Sequence, residues 1–208
     1  MNDVLSLLKS VNAVITDDHF VYTSGKHGSV YINKDALYPH TKLASQVGKM
    51  FAEQTTDLEI DVVAAPALGG IILSQWTANH LSQLKGKEIL GVYTEKDEQK
   101  NQVFTRGYDK LVTGKKVLVI EDLTTTGGSV KKVVDTVRQV GGEVVKVGVM
   151  VNRDPKLVTE ETIGAPYFSL GELPVETFEE TDCPLCKEGK PINTSVGHGK
   201  KYMEAKGR

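Results

Sequence analysis

The segment Val117–Val130 reads VLVIEDLTTTGGSV. An apolar run delivers Glu121 and Asp122. Leu123 and a loop of Thr124, Thr125, Thr126, Gly127, Gly128 and Ser129 follow, and then a helical pattern begins. Loop amides and a helix N-terminus together make a cradle for an anion. Glycine lets the backbone come close to a phosphate, and small hydroxyl side chains donate to it without crowding it. The two carboxylates would repel that phosphate, so they call for a ligand that offers hydrogen-bond donors or positive charge. Vicinal sugar hydroxyls or a hydrated Mg²⁺ meet that need. The pattern lacks the Gly-Lys-Ser/Thr of a P-loop. Its acids precede its glycines, whereas the dinucleotide-binding fingerprint places its acid about 20 residues later.

The surrounding periodicities supply elements that could hold this loop. Ile60–Ala65, Glu88–Thr94, Lys116–Ile120 and Val144–Val151 are short, nearly continuous apolar runs and read as buried strands. Between them lie helical patterns from Thr41 (Leu43, Val47, Met50, Phe51), from Ile71 to about Leu84, and along Val130, Val133, Val134, Val137 and Val140. Gly141-Gly142 marks the end of the last. Alternating strands and amphipathic helices predict a mainly parallel sheet covered on both faces, joined by right-handed crossovers. Trp76 falls in a helical stripe and is expected in the core.

The chain opens with a helical pattern at Val4, Leu5, Leu7, Leu8 and Val11. His19–Thr23 alternates, Ser24-Gly25-Lys26-His27-Gly28 is a turn signal, and Val30–Asn33 is a second extended run, which predicts a hairpin or flap. Thr94–Gly114 is long, polar and without an apolar period, so it is expected to be a mobile functional loop. The tail from Glu172 is polar with little periodicity.

Composition narrows the function classes. The 208 residues carry 25 basic and 27 acidic side chains, a net charge of -2, so there is no global positive field for nucleic acid or an anionic membrane. No run reaches the roughly 20 apolar residues of a membrane span. Asp3 stands ahead of the first apolar run with no basic segment, so no secretory leader is expected, and the location expected is cytoplasmic. Cys183 and Cys186 have the spacing of a zinc knuckle but no second pair, with His198 the nearby imidazole; packed or surface thiols are expected. His19, His27, His40 and His80 show no ligand spacing.

The acid-led Thr/Gly loop resembles the 5-phosphoribosyl 1-diphosphate (PRPP) binding motif of type I phosphoribosyltransferases. Further segments resemble the orotate phosphoribosyltransferase family in particular. These are Phe20–His27 with Tyr31-Ile32-Asn33-Lys34, Ala65-Pro66-Ala67-Leu68-Gly69-Gly70-Ile71, Thr105-Arg106-Gly107-Tyr108, Asn152-Arg153-Asp154, and the late Cys-Pro-Leu-Cys. The resemblance covers nearly the whole chain. It implies a type I phosphoribosyltransferase fold with an N-terminal flap or hood over a mainly parallel sheet flanked by helices. Residues 1–40 would be helix and flap, 41–171 the PRPP-binding core and 172–208 the tail, together one structural domain.

The resemblance also implies roles. Glu121 and Asp122 would hold the ribose hydroxyls of PRPP, and Thr124, Thr125, Thr126, Gly127, Gly128 and Ser129 its 5-phosphate, with Leu123 in the same PRPP-binding run. Thr125 and Arg153 would face orotate, and Lys96 and Lys100 the pyrophosphate, with Lys100 catalytic. Mg²⁺ would be the cofactor, held mainly by substrate, and the chain a homodimer making orotidine 5'-monophosphate for pyrimidine (UMP) biosynthesis. Some positions depart from the family: Glu95 stands where an arginine is common, Leu68-Gly69 where tyrosine-lysine is common, and Thr23 where a lysine is common. Two alternatives remain at this stage, a phosphoribosyltransferase for another nucleobase and a non-catalytic PRPP-sensing regulator.

Overall fold

The computed structural model describes residues 3–207. Tyr38–Leu173 forms one compact unit, and Leu5–Leu37 with the chain from Pro174 onward forms a second. Among the described residues no helix is long and apolar enough to cross a membrane.

The chain begins with α1 (Val4–Ser10) and the short strands β1 (Val14–Ile15), β2 (Phe20–Val21), β3 (His27–Gly28) and β4 (Tyr31–Ile32). The predicted hairpin is present: Phe20 pairs with Gly28 and Val21 with His27, antiparallel. The run Val30–Asn33 takes a different partner, because β4 pairs with β1 through Val14–Ile32 and Ile15–Tyr31.

The larger unit then follows with α2 (Thr41–Glu53), β5 (Val62–Pro66), α3 (Gly69–Lys85), β6 (Leu90–Lys96), β7 (Gln102–Val103), α4 (Tyr108–Val112), β8 (Lys116–Thr124), α5 (Gly128–Gln139), β9 (Glu143–Asn152), α6 (Glu160–Ile163) and β10 (Tyr167–Glu172). The sheet order is β10-β9-β8-β5-β6-β7. All pairings are parallel except β6–β7, which is an antiparallel hairpin. Successive strand residues face opposite sides. Val62, Ala64, Val117, Val119, Val147 and Val149 join Val130, Val133, Val134 and Val137 of α5 in one core cluster. Fully burying each of these valines contributes about 1.5 kcal/mol or more. On the alternate positions Gly148 leaves room for Phe51 of α2, and Gly70 at the start of α3 sits against Ala65. Helices thus cover both faces of the sheet. Trp76 is half-buried, stacked on His80 within the same helix.

Two sequence expectations are corrected here. Thr94–Gly114 is structured: Gln102 is buried, accepts from Thr94 Oγ1 (2.7 Å) and offers its carbonyl to Thr136 Oγ1 of α5 (2.7 Å). These anchors are polar, which is why no apolar period marks them. The tip, Glu98–Lys100, is exposed and is closed by the Asn101 N–H donating to Asp97 Oδ1 (2.7 Å). A sixth strand, β10, also lies beyond the four read from apolar runs. Its first five residues are all half-buried, the signature of an edge strand.

The tail completes the smaller unit with α7 (Pro184–Lys187) and α8 (Gly199–Ala205). It adds to both sides of the hairpin. His27 and Phe178 exchange backbone hydrogen bonds (2.8 and 2.9 Å), and His198 N–H donates to the Val21 carbonyl (2.9 Å). His19 and His27, unrelated by sequence spacing, face each other in this unit with Cys183 and Cys186 beside them.

Candidate functional site

Strand order locates the candidate site before any side chain is considered. From β5 the chain crosses to β6 on one side, while β8 returns on the other and the sheet then grows through β9 and β10. In open α/β sheets ligands bind outside the carboxyl ends of the strands where the winding reverses. Here that crevice lies between the ends of β5 and β8. Its walls are the Ala67–Gly70 turn and the Glu121–Ser129 segment.

β8 runs further than its apolar pattern, to Thr124, so Glu121 and Asp122 lie within the buried strand, two residues short of its end. Both are buried, 5% and 6% exposed. Glu121 accepts from the Asp122 N–H (3.0 Å), and Asp122 Oδ1 accepts from the Leu123 N–H (2.6 Å). Tyr38 Oη donates to Asp122 Oδ2 (3.2 Å). Burial, and then the neighbouring Asp122, raise the Glu121 carboxyl well above the ordinary carboxylate value. A buried acid pair of this kind is costly on its own and suits a ligand that donates to it. Tyr38 is a functional candidate that the sequence does not mark. It follows the flap motif as one tyrosine among seven, with no sequence signal that it reaches Asp122.

The loop after β8 is built for close approach. Thr124 is buried and its Oγ1 accepts from the Gly127 N–H (3.0 Å), which folds the loop onto itself. Gly127 has φ 73 and stands at the N-cap of α5, a left-handed position that costs a glycine nothing. Thr126, Gly128 and Ser129 are exposed at the rim. The first N–H groups of a helix have no partner within it, and their dipole favours an anion.

Arg153 follows β9 directly. The β8–β9 register sets Thr124 opposite Asn152, and the Arg153 N–H donates to the Thr124 carbonyl (2.8 Å). The backbone of Arg153 is thereby held beside the threonine loop. Asn152, buried, accepts from the Asp154 N–H (3.0 Å) and fixes the turn.

Lys96 and Lys100 are exposed on the β6–β7 hairpin. Lys96 ends β6 opposite Gln102, and Lys100 sits at the tip with φ 62, its carbonyl accepting from Lys132 Nζ (2.9 Å). Glu95 is taken up locally: it accepts from Thr105 Oγ1 and pairs with Arg106 (3.4 Å). Leu68 is 82% exposed on the turn after β5, and the Ala67–Leu68 peptide is cis. The Gly70 position needs a glycine, since a Cβ there would lie 2.7 Å from that of Ala65. Thr23 lies in the smaller unit, its hydroxyl 3.0 Å from His198 Nε2.

Comparisons with known proteins agree with this geometry. The family model described as "Phosphoribosyl transferase domain" matches residues 33–168. An orotate phosphoribosyltransferase of Thermoanaerobacter sp. is 38% identical over 190 residues, 91% of this chain and 94% of that protein. Another, of Caldanaerobacter subterraneus subsp. tengcongensis, is 36% identical over 86% of this chain and 88% of its own length. Among solved structures, the Mycobacterium tuberculosis orotate phosphoribosyltransferase in complex with PRPP is 27% identical with a TM-score of 0.63, covering 83% of this chain and 97% of that one. The orotate phosphoribosyltransferase of Aeropyrum pernix is 25% identical with a TM-score of 0.64, covering 89% and 98%.

Proposed function

The chain belongs to the orotate phosphoribosyltransferase family, and on that premise we propose that it joins orotate to PRPP, giving orotidine 5'-monophosphate and pyrophosphate. The observation that carries the reading is the placement of the buried Glu121–Asp122 pair directly ahead of the Thr124–Ser129 loop, with Arg153 tied to Thr124. In this reading Glu121 and Asp122 accept from the ribose 2- and 3-hydroxyls. The loop amides and the hydroxyls of Thr124, Thr125, Thr126 and Ser129 take the 5-phosphate. Arg153 offers a planar fork to orotate's 6-carboxylate, a bidentate match that a lysine cannot make. Thr125 lies between the two ligands.

The bond between C1' and the pyrophosphate oxygen breaks, its electron pair leaving with pyrophosphate, while the orotate ring nitrogen gives up its proton to solvent and bonds to C1'. The sugar carries oxocarbenium-like charge in between. The work for the protein is therefore positioning and charge stabilisation. Tyr38 holds Asp122 in place. Lys100, at the hairpin tip, meets the negative charge that develops on pyrophosphate, and Lys96 meets its ground state. The two buried carboxylates are hard oxygen donors and fit a site shared with Mg²⁺, which would be held mainly by substrate oxygens with Glu121 and Asp122 beside it. When bound, the ion offsets charge on the departing pyrophosphate. A homodimer and a cytoplasmic location belong to the same reading, and sedimentation tests the first.

A base panel tests the assignment. At fixed PRPP and Mg²⁺ the chain should consume orotate and leave adenine and uracil untouched. Turnover of adenine or uracil in preference to orotate would reassign the base site.

A further inference from the structure

The buried apolar side chains of the smaller unit lie almost entirely in its N-terminal part. The unit has about seventy residues, a size at which natural units are commonly stapled by metal or disulfide. Among the described residues from Pro174 onward, Cys183 is the one buried apolar side chain. Yet the tail adopts defined turns against the hairpin, and four side chains converge where it does so. His19 Nε2 lies 2.9 Å from His27 Nδ1. Cys183 Sγ and Cys186 Sγ are each 3.7 Å from His19 Nε2, and Cys186 Sγ is 3.3 Å from His27 Nδ1. The four atoms all lie within 4.8 Å of one another.

We propose that His19, His27, Cys183 and Cys186 bind one structural zinc ion that fastens the tail to the N-terminal hairpin. Tetrahedral zinc has Zn–N of about 2.0–2.1 Å and Zn–S of about 2.3 Å, so its ligand atoms stand roughly 3.3–3.8 Å apart. The four separations given above, 2.9 to 3.7 Å, fall within or a little below that range, and no pair of the four atoms exceeds 4.8 Å. Two thiolates and two imidazoles in a tetrahedral set select Zn²⁺ over the harder Mg²⁺. Four protein ligands leave no open position, so the role is structural rather than catalytic. The site is separate from the transferase reading and from the Mg²⁺ in it.

The ligands are also held as metal ligands are. The remaining ring nitrogen of His19 donates to the Lys190 carbonyl (2.8 Å), which sets the tautomer and presents Nε2 as an acceptor. Cys183 is the N-cap of α7 with Pro184 at the first helical position, so Cys186 returns one turn later to the same side. His27 is fixed on β3 by its backbone exchange with Phe178. His19, His27 and Cys183 are essentially inaccessible, and Cys186 is half-buried. Sequence spacing hid the site because its halves are 156 or more positions apart and the two histidines are eight apart on a hairpin rather than on one helical turn.

The test uses the full-length chain, purified reduced from zinc-containing medium and desalted. Elemental analysis should find about one zinc per chain. Chain whose zinc is exchanged for Co²⁺ should show thiolate-to-cobalt charge transfer and the intense visible bands of tetrahedral cobalt. Cys186→Ser should weaken the charge-transfer band and lower zinc content, whereas His40→Ala should leave both unchanged. Should the cysteine variant fail to fold, the wild-type metal count and cobalt spectrum still decide. Absence of stoichiometric zinc together with an octahedral, thiolate-free cobalt spectrum overturns the proposal. So does a folded Cys186→Ser chain with undiminished charge transfer.

Discussion

Arg153 and Thr124 are joined through their backbones: the Arg153 N–H donates to the Thr124 carbonyl at 2.8 Å. The residue proposed for the base and the loop proposed for the phosphate are thus set by one hydrogen bond between the ends of β8 and β9. A shift at either end would move both.

The first prediction separates their ligands. Arg153→Lys keeps the charge and loses the bidentate fork. Orotate binding should weaken about tenfold, in line with about 1.5 kcal/mol for a hydrogen bond to a charged group, while PRPP affinity stays nearly constant. Calorimetric titration with each ligand checks this. An equal loss for both ligands would mean that Arg153 supports the loop rather than the base.

Asp122→Asn should act on the other ligand. It keeps the size of the side chain and removes a charged acceptor. PRPP affinity should fall about tenfold or more. Unchanged PRPP binding would remove Asp122 from the ribose site.

Glu121 gives a pH dependence. Its carboxyl is raised by burial and then by Asp122, so the folded chain keeps a proton where the unfolded chain has lost it. The stability this proton contributes is complete below the unfolded value and is lost as pH rises through the folded value. Glu121→Gln abolishes that loss. Without added PRPP or Mg²⁺, the variant should melt above the parent near pH 8, and the gap should narrow toward about pH 5. A melting gap that is flat with pH, or that widens on acidification, contradicts the assignment of the raised acid.

The hairpin lysines should divide by kinetic parameter. Lys100→Ala should lower kcat by on the order of 10²-fold with a modest effect on PRPP affinity, the loss typical of one preorganised charge-stabilising donor. Lys96→Ala should instead weaken PRPP binding. Steady-state kinetics with equilibrium binding on both variants checks this, and the reverse pattern exchanges their roles.

Much of this was legible in the sequence, for identifiable reasons. The β8 run and the α5 valines fix a strand, a loop and a helix, because continuous apolar residues and a 3.6-residue stripe are both strong signals. The acids were visible by position, though not their burial, since β8 extends through them to Thr124. What escaped was held by polar or distant partners. The Thr94–Gly114 segment is pinned by Gln102 and Thr136, neither of which carries an apolar period. Tyr38 reaches Asp122 across 84 positions, and Cys183 reaches His19 across 164. Contacts of that range follow from the fold and leave no local trace.

The most direct measurement is product formation by the unmodified chain given orotate, PRPP and Mg²⁺. Orotidine 5'-monophosphate and pyrophosphate should appear one for one, with orotate consumed in step and no product when PRPP is left out. Tight PRPP binding with no orotidine 5'-monophosphate formed would contradict the account and leave a PRPP-binding protein in its place.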